Sequence, residues 1–258
     1  MDIRRNERIN SNLKYLEVTK KGDSNYIKFH EQQFNQVYRS TISFFNWLEE
    51  LNLLTVKSKK SICDVGVGQG ANLIYAANRF SNSIFKGIDI NPDLIKKGND
   101  LINNKSLNNC SLIVDDLYNL NASHINRYDG ITCICVLPFL PDFKIPVEKM
   151  IELNAEWIAI TGLFFEGNVS CKAILNDFSG SHELESYYNT YSLPIVKKVF
   201  HDNGYKNFSF IPFEIDIDLP KPTNKGMGTY TENLKDGRRL QVSGPILMNW
   251  YFVVAKKN

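Results

Sequence analysis

The chain has 258 residues, of which 43% are hydrophobic and 12% aromatic; this is enough for a sizeable core and argues against a disordered chain. Its 30 basic and 28 acidic residues leave a formal net charge of +2. Such a balance provides no general electrostatic attraction for nucleic acid or an anionic membrane, so neither is expected as a partner.

The cysteines and the N-terminal residues indicate a reducing environment. The five cysteines form an odd set without a CxxC pair, and several lie in apolar, strand-like stretches. Residues 1–18 lack the apolar segment of a signal peptide, and no stretch approaches 18 consecutive apolar residues. These features predict a soluble cytoplasmic protein with buried, reduced thiols.

Residues 26–54 carry the first periodic pattern of the chain. Their apolar side chains recur at helical spacing, at Phe34, Val37, Tyr38, Ile42, Phe45 and Leu48. We therefore interpret residues 1–55 as a helical N-terminal cap, and residues 56–258 as the main domain.

From residue 61 the chain alternates between strand-like and helix-like segments. Short apolar segments predict strands at 61–66, 83–90, 110–116, 129–140 and 156–165. Patterns typical of helices lie between them, and Asn91 with Pro92 predicts the start of one helix. This alternation predicts βαβ units and a parallel sheet.

Beyond residue 165 the pattern is less regular. A helix is predicted up to Gly204, followed by one long alternating strand over residues 207–219. Asp236-Gly237 predicts the turn of a hairpin, and residues 249–258 predict a final strand. We therefore expect an α/β sheet that ends in an antiparallel pair.

The stretch "SICDVGVGQG" at 61–70 carries three glycines, Gly66, Gly68 and Gly70, between a predicted strand and a predicted helix. Glycines at this place let the backbone turn sharply and approach a ligand at the start of the helix. The loop taken alone fits NAD, FAD and S-adenosylmethionine equally well.

Two carboxylates narrow this choice. Asp64 lies two residues before Gly66, where a negative charge suits an ammonium group and would repel a pyrophosphate. Asp89 lies nineteen residues beyond Gly70, at the end of the second predicted strand. It can accept hydrogen bonds from both hydroxyls of a ribose, which NAD and S-adenosylmethionine share.

The motifs resemble those of the class I S-adenosylmethionine-dependent methyltransferases. "CDVGVGQG" resembles their E/D-x-G-x-G-x-G loop, and "GIDINPDLI", "LIVDDLYNL" and "YDGITCICVLPFLPD" are similar to their later motifs, in the same order. The resemblance covers roughly residues 55–165. It implies a Rossmann-like α/β fold with a mostly parallel seven-stranded sheet, an antiparallel last strand, a helical N-terminal cap and a C-terminal hairpin insertion.

The resemblance also implies a cofactor site, for S-adenosylmethionine before and S-adenosylhomocysteine after the reaction. The three glycines would line the methionine part and Asp64 its amino group, while Asp89 would bind the ribose. Asp116 with the Leu117 backbone would bind the adenine edge, with Asp115 as a competitor that the sequence does not exclude. The implied cofactor residues are Asp64, Gly66, Gly68, Gly70, Asp89, Ile90, Asp115, Asp116, Leu117 and Cys135.

The acceptor is less clearly marked in the sequence. Residues 136–139 lack the Asn/Asp-Pro-Pro-Tyr/Phe pattern of enzymes that methylate DNA adenine or protein glutamine. Asp142 stands almost alone in its loop, so no metal is predicted. By analogy with the family, residues 165–192 and 218–246 are interpreted as insertions that cover the substrate.

Several side chains in these segments are candidates for the acceptor site. Glu214, Asp216 and Asp218 would share one face of the long predicted strand, which also fits an exposed edge. Tyrosines in the first insertion fit either substrate contacts or core packing. The candidate bases are His182 and His30, and the candidate substrate-binding residues are Tyr188, Tyr191, Glu214 and Arg238.

The leading hypothesis is a methyltransferase acting on a small polar molecule, at an oxygen of a sugar, sugar nucleotide or surface-glycan group. This acceptor is suggested by a loose resemblance of the C-terminal part to bacterial methyltransferases of surface-polysaccharide or capsule biosynthesis. The alternatives are N-methylation of a small amine, an NAD-dependent oxidoreductase, since "GVGQGA" also fits G-x-G-x-x-A, and a non-catalytic binding module. A monomer or homodimer is expected.

Overall fold

A computed structural model describes Arg8, Leu16 and residues 32–178, 184–223 and 226–258. The fully described helices are α1 (Arg39–Glu50), α2 (Ala71–Arg79), α3 (Pro92–Asn104), α4 (Lys144–Glu152) and α5 (Leu193–Asp202). The first strands are β1 (Ser61–Val65), β2 (Ile84–Asp89), β3 (Cys110–Val114), β4 (Gly130–Ile134) and β5 (Trp157–Phe165). They are followed by β6 (Ile174–Asp177), β7 (Leu184–Tyr187), β8 (Tyr191–Ser192), β9 (Asn207–Pro212), β10 (Thr229–Asn233), β11 (Arg239–Ser243), β12 (Ile246–Leu247) and β13 (Trp250–Lys256).

The main sheet has the order β3-β2-β1-β4-β5-β13-β9, and the short strand β8 also pairs with β5. The strands from β3 to β5 are parallel, whereas β13 runs antiparallel to both β5 and β9. This is the Rossmann-like class I methyltransferase arrangement that the sequence predicted. The order of strands reverses at β1, so a crevice forms beyond the carboxyl ends of β1, β2 and β4.

Apolar side chains cover both faces of the sheet. Helices α1, α2 and α3 pack on one face around residues such as Phe44 and Phe252. Helices α4 and α5 pack on the other, around Met150 and Phe200. Each large apolar side chain that is fully buried contributes about 1.5–3 kcal/mol, so these two layers hold the carboxyl edge of the sheet in place.

The N-terminal cap differs from the single long helix expected over residues 26–54. Residues 32–35 are helical, the helix is interrupted at 36–38, and α1 begins at Arg39. Phe45 and Leu48 are buried as predicted, whereas Tyr38 and Ile42 are each 37% exposed. The buried face of α1 is instead completed by Phe44 and Trp47, which pack against Phe252.

The long strand predicted over residues 207–219 is wrong in its second half. Strand β9 ends at Pro212, which pairs with Tyr251 at the last position where β13 offers a partner. Phe213 still donates its N–H to the Trp250 carbonyl at 2.8 Å, and the chain then leaves the sheet. Beyond that point β13 has no further residues to extend the ladder.

The acidic residues after Pro212 are therefore not on one face of a strand. Asp216 accepts a hydrogen bond from Arg39 of α1 at 2.6 Å. Asp218 accepts one from the Arg239 side chain of β11 at 2.8 Å. These pairs are exposed and contribute little energy, but they tie the segment to the cap and to the hairpin insertion.

The two interpreted insertions form small sheets of their own. The first contains the antiparallel pair β6–β7, and the second contains β10, β11 and β12. The hairpin predicted at Asp236-Gly237 is confirmed: Leu234 donates its N–H to the Arg238 carbonyl at 2.8 Å, and Gly237 has φ +87°. None of the described helices is long and apolar enough to cross a membrane.

Candidate functional site

The loop between β1 and α2 requires its three glycines. Gly66, Gly68 and Gly70 have φ of +77°, +56° and +84°, in the left-handed region that side chains disfavour. A Cβ atom on Gly66 would also lie 2.4 Å from a methyl group of Val136. The loop lies at the carboxyl edge of the sheet, with Gly66 half-buried and Gly68 and Gly70 buried.

Asp64 is a buried carboxylate at the end of β1, with only 2% of its surface exposed. Burial raises its pKa to about 7, and the charge of Asp89 adds to this effect. Thr132 opposes the rise by donating its hydroxyl to Asp64 Oδ1 at 2.7 Å. A cationic group beside Asp64 would favour its charged form, so this position is suited to a ligand ammonium.

Asp89 joins the glycine loop to the turn after β2. Its Oδ2 accepts a hydrogen bond from the Gly68 N–H at 2.8 Å, and its Oδ1 accepts one from the Asn91 N–H at 2.9 Å. The Asp89 carboxylate is thus fixed between the glycine loop and the turn after β2. The sequence predicted that Asp89 binds the ribose, but it did not predict these two hydrogen bonds to the backbone. Ile90, the next residue, is half-buried.

Asp115 and Asp116 differ in how many hydrogen bonds their carboxylates make within the protein. Asp115 accepts from the Asp116 N–H at 2.8 Å and from the Asn121 N–H at 2.9 Å, and it lies 3.2 Å from His124 Nε2. Asp116 uses Oδ1 to accept from the Tyr118 N–H at 2.9 Å. Within the described residues its Oδ2 makes no hydrogen bond, which favours Asp116 over Asp115 as the carboxylate available to a ligand.

Cys135 directly follows β4 and lies in the left-handed region, with φ +57°. Thr161 of β5 holds it there, because the Thr161 hydroxyl accepts the Cys135 N–H at 2.9 Å and lies 3.4 Å from its sulfur. Burial raises the pKa of Cys135 to about 11, so the thiol is neutral and is not a nucleophile. The role of Thr161 was not predicted, because a threonine within an apolar strand does not indicate which residue its hydroxyl contacts.

Tyr38 brings the N-terminal cap to the same edge. Its pKa is raised by partial burial and by the nearby Cys135, and a hydrogen bond with Gln33 opposes this. The phenol is therefore neutral at physiological pH, close to the end of β4. From the sequence, Tyr38 was predicted only as a residue of the N-terminal helix and not as part of the site.

Of the two candidate tyrosines, Tyr191 lies in the core rather than on a ligand surface. It is 2% exposed, and its hydroxyl donates to the Leu140 carbonyl at 3.1 Å. This burial contradicts the predicted substrate contact. Tyr188 is half-buried and packs edge-to-face on Phe139, with ring centroids 5.0 Å apart, beside the loop that follows β4.

Asn189 connects the first insertion to that loop. It is fully buried and donates its backbone N–H to the Pro138 carbonyl and its side-chain amide to the Leu140 carbonyl, both at 2.8 Å. Its Oδ1 accepts from the Ala173 N–H at 3.1 Å. The insertion is thus fixed against the loop after β4, and nothing in the sequence distinguished this asparagine from its many surface counterparts.

The remaining residues predicted for the acceptor site either contact other side chains of the protein or lie outside the described residues. Arg238 is exposed and pairs with Asp236 at 2.8 Å, within the hairpin turn. Glu214 accepts from the Arg239 N–H at 2.8 Å, so its carboxylate holds the hairpin. The ligand contacts of Glu214 and Arg238 stay predictions. His30 and His182 lie outside the described residues.

Residues 56–161 match the family described as a methyltransferase domain. The matched segment is less than half of the chain. It spans the glycine loop, Asp89, the Asp115–Asp116 pair and Cys135, and the match favours the methyltransferase interpretation over the oxidoreductase. Within the described residues, no group of three or more His, Cys, Asp or Glu side chains could hold a metal ion.

One curated relative is a probable (S)-tetrahydroprotoberberine N-methyltransferase 2 of Papaver bracteatum. It is 22% identical over 139 residues, which are 54% of this chain and 37% of the relative. The chain therefore aligns with little more than a third of that protein's length, and the similarity is that of the shared domain.

Solved methyltransferase structures share the fold across the whole chain. Magnesium protoporphyrin IX methyltransferase of Synechocystis PCC 6803, crystallised with S-adenosylmethionine, is 15% identical with a TM-score of 0.54, covering 100% of this chain and 98% of that one. The 1,6-didemethyltoxoflavin-N1-methyltransferase of Burkholderia thailandensis, crystallised with its substrate and S-adenosylhomocysteine, is 12% identical with a TM-score of 0.56, covering 100% and 92%.

Proposed function

We propose that the chain is an S-adenosylmethionine-dependent methyltransferase acting on a small-molecule acceptor. The observation that carries this proposal is the buried Asp64 beside the glycine loop. A carboxylate with a pKa of about 7 is costly to keep charged in the folded protein, and a ligand ammonium would offset that cost. A pyrophosphate at the same place would raise it further.

The described residues support a definite orientation for the cofactor. Asp64 and the glycine loop would hold the amino-acid part, Asp89 the ribose, and Asp116 with the Leu117 backbone the adenine. The bound cofactor would supply an electrophilic methyl group on sulfur. In this orientation the reactive end would face the edge formed by Cys135.

The protein's own contribution at that edge is positioning and the exclusion of water. Methyl transfer is an in-line displacement, so the acceptor atom must be aligned with the bond that breaks. Tyr38 from the cap and Tyr188 from the first insertion are the side chains best placed to do this. The cap is also anchored over the loop after β4, because Arg8 Nε lies 3.9 Å from Asp142.

The insertions support a small acceptor. Between them lies a cleft of about 910 Å³, whose walls include Asp177 and Phe178 of the first insertion and Lys221, Met227 and Tyr230 of the second. Its mixed apolar and charged lining would suit a small polar metabolite, while none of its lining residues belongs to the edge at Cys135.

Two acceptor classes remain, and they differ in their need for a base. An amine nitrogen needs little help once it is neutral, and it is favoured because the groups beside this edge, Tyr38 and Cys135, are themselves neutral. Two of the similar proteins are named N-methyltransferases. An oxygen of a sugar or surface-glycan precursor, as the sequence suggested, would require a base, for which His30 and His182 stay candidates.

The proposal is tested by incubating the purified chain with S-adenosylmethionine and separate panels of small amines, sugars and sugar nucleotides. Mass spectrometry would detect S-adenosylhomocysteine and the methylated product. We expect turnover with one panel, loss of turnover in Asp89→Ala, and unchanged turnover in Asp100→Asn, an exposed carboxylate on α3 paired with Lys96. Binding of NADH in place of S-adenosylmethionine would contradict the proposal.

A further inference from the structure

His124 lies outside the predicted site but has an unusually constrained environment. It is 7% exposed, in a short 3₁₀ segment between β3 and β4. Its Nε2 lies 3.2 Å from Asp115 Oδ2, and its Nδ1 lies 2.8 Å from the Tyr128 hydroxyl. The ring also stacks on Tyr128, with an interplanar angle of 22°. Both ring nitrogens are therefore engaged.

The partners indicate how the imidazole hydrogen bonds are directed. A carboxylate only accepts, so Nε2–H donates to Asp115, and in the neutral ring Nδ1 accepts the Tyr128 hydroxyl proton. A hydrogen bond to a charged partner is stronger than one between neutral groups, and here it is largely shielded from water. The Asp115 carboxylate thus depends on His124 for its orientation.

Asp115 in turn organises the loop that follows β3. Its N–H donates to the Asp89 carbonyl at 3.0 Å. Its carboxylate accepts the N–H groups of Asp116 and Asn121, at 2.8 and 2.9 Å. His124 is therefore one hydrogen bond away from the carboxylate that fixes the backbone of Asp116 and Asn121, on either side of Leu117.

We propose that His124 is a positioning residue that sets the adenine-binding loop through Asp115. The inference rests on the proposed function, because it concerns the half of the site assigned to the nucleoside. Without the imidazole, Asp115 Oδ2 loses its side-chain donor, and only the two backbone N–H groups hold the carboxylate. Asp116 and Leu117 would then lose the orientation on which adenine recognition depends.

Matched variants separate positioning from general stability. His124→Leu removes both hydrogen bonds, whereas His124→Gln keeps an amide N–H at about the position of Nε2. Tyr128→Phe removes the hydrogen bond to His124 and the one between Tyr128 and Cys63, and it leaves the contact of His124 with Asp115. His124→Asn serves where His124→Leu does not fold, because its shorter side chain does not reach Asp115.

Calorimetric titration with S-adenosylhomocysteine gives the first readout. We expect His124→Leu or His124→Asn to weaken binding about tenfold, the cost of losing a hydrogen bond to a charged group. His124→Gln and Tyr128→Phe should each stay within about threefold of the unsubstituted protein, which is less than such a loss. Thermal unfolding without ligand measures the stability of each variant. It shows whether Tyr128→Phe is destabilised as much as His124→Leu although Tyr128→Phe keeps its affinity for the ligand.

S-inosylhomocysteine, in which hypoxanthine replaces adenine, gives the second readout. The unsubstituted protein should prefer S-adenosylhomocysteine, and His124→Leu or His124→Asn should lose most of that preference. Equal affinities and preferences in all variants would overturn the positioning role while leaving the proposed function intact. Failure of the unsubstituted protein to bind S-adenosylhomocysteine would overturn both.

Discussion

Replacing Asp64 by asparagine removes a buried negative charge with almost no change in side-chain shape. In the folded protein the pKa of Asp64 is raised from 3.8 to about 7, chiefly by burial. This difference corresponds to about 4 kcal/mol, at about 1.4 kcal/mol for each pKa unit. The buried amide that Asp64→Asn introduces would lack one hydrogen-bond partner, so the pH dependence is a cleaner signal than the stability at a single pH.

The sign follows from the direction of the pKa change. Because the folded state favours the protonated acid, the stability associated with Asp64 is fully present below about pH 4 and is lost as the pH rises to about 7. Without ligand, the free energy of unfolding should therefore decrease between pH 4.5 and pH 7.5. Asp64→Asn should remove most of that slope.

A bound ammonium should reverse the effect by stabilising the charged carboxylate. With a pKa of about 7, Asp64 is about half protonated at pH 7, so binding of S-adenosylhomocysteine should release about half a proton. Calorimetry at pH 7 in buffers of different ionisation enthalpy measures this number. The release should be absent in Asp64→Asn, and Asp100→Asn serves as the exposed control.

Denaturant unfolding at several pH values gives the slope directly. If unsubstituted protein and Asp64→Asn showed the same pH slope and the same proton release, the argument about Asp64 would be refuted. Equal slopes with different proton release would instead contradict only the burial argument for the free protein.

Three further substitutions test the packing around the site. Gly66→Ala should destabilise the fold by about 1–3 kcal/mol and weaken cofactor binding, because the new methyl would meet Val136 at positive φ; unchanged melting would contradict this. Thr161→Val should lower the free energy of unfolding in urea by about 1 kcal/mol, because it removes the hydrogen bond from the Cys135 N–H to the Thr161 hydroxyl. An unchanged free energy of unfolding would show that the hydrogen bond from the same N–H to the Thr161 carbonyl is sufficient. Asn189→Ala should cost about 1–3 kcal/mol and speed proteolysis within residues 165–192, whereas uniform protection would argue against its anchoring role.

Much of the main sheet could be predicted because its signals are local. Alternating apolar segments placed the strands β1 to β5, and Asn91 with Pro92 marked the start of α3, where the Asn91 side chain accepts two backbone N–H groups. The glycine loop was predictable because glycine adopts the three positive φ angles of this loop more easily than any other residue.

The errors arose where a contact between distant segments decides the structure. The periodicity of residues 207–219 is typical of a strand, but β13 begins only at Trp250 and offers no partner for the second half of that segment. Tyr191 and Tyr188 look alike in sequence, and only the fold of the first insertion buries one and leaves the other beside Phe139.

The same limit applies to the polar contacts of the site. Thr132, Thr161 and His124 each act through a hydrogen bond to a residue on a different element of the fold, and no spacing rule reports such a pair. The separate roles of Asp115 and Asp116 likewise depend on which neighbour each carboxylate contacts. The sequence could therefore predict which types of side chain lie at this edge, but not how each side chain is oriented.

A crystal structure of the chain with bound S-adenosylhomocysteine would test the proposed cofactor site. We expect the amino group on the Asp64 side of the glycine loop, the ribose hydroxyls on Asp89, and adenine beside Asp116 and Leu117. A ligand bound elsewhere on the sheet, or one lying with its adenine against Asp64, would contradict it.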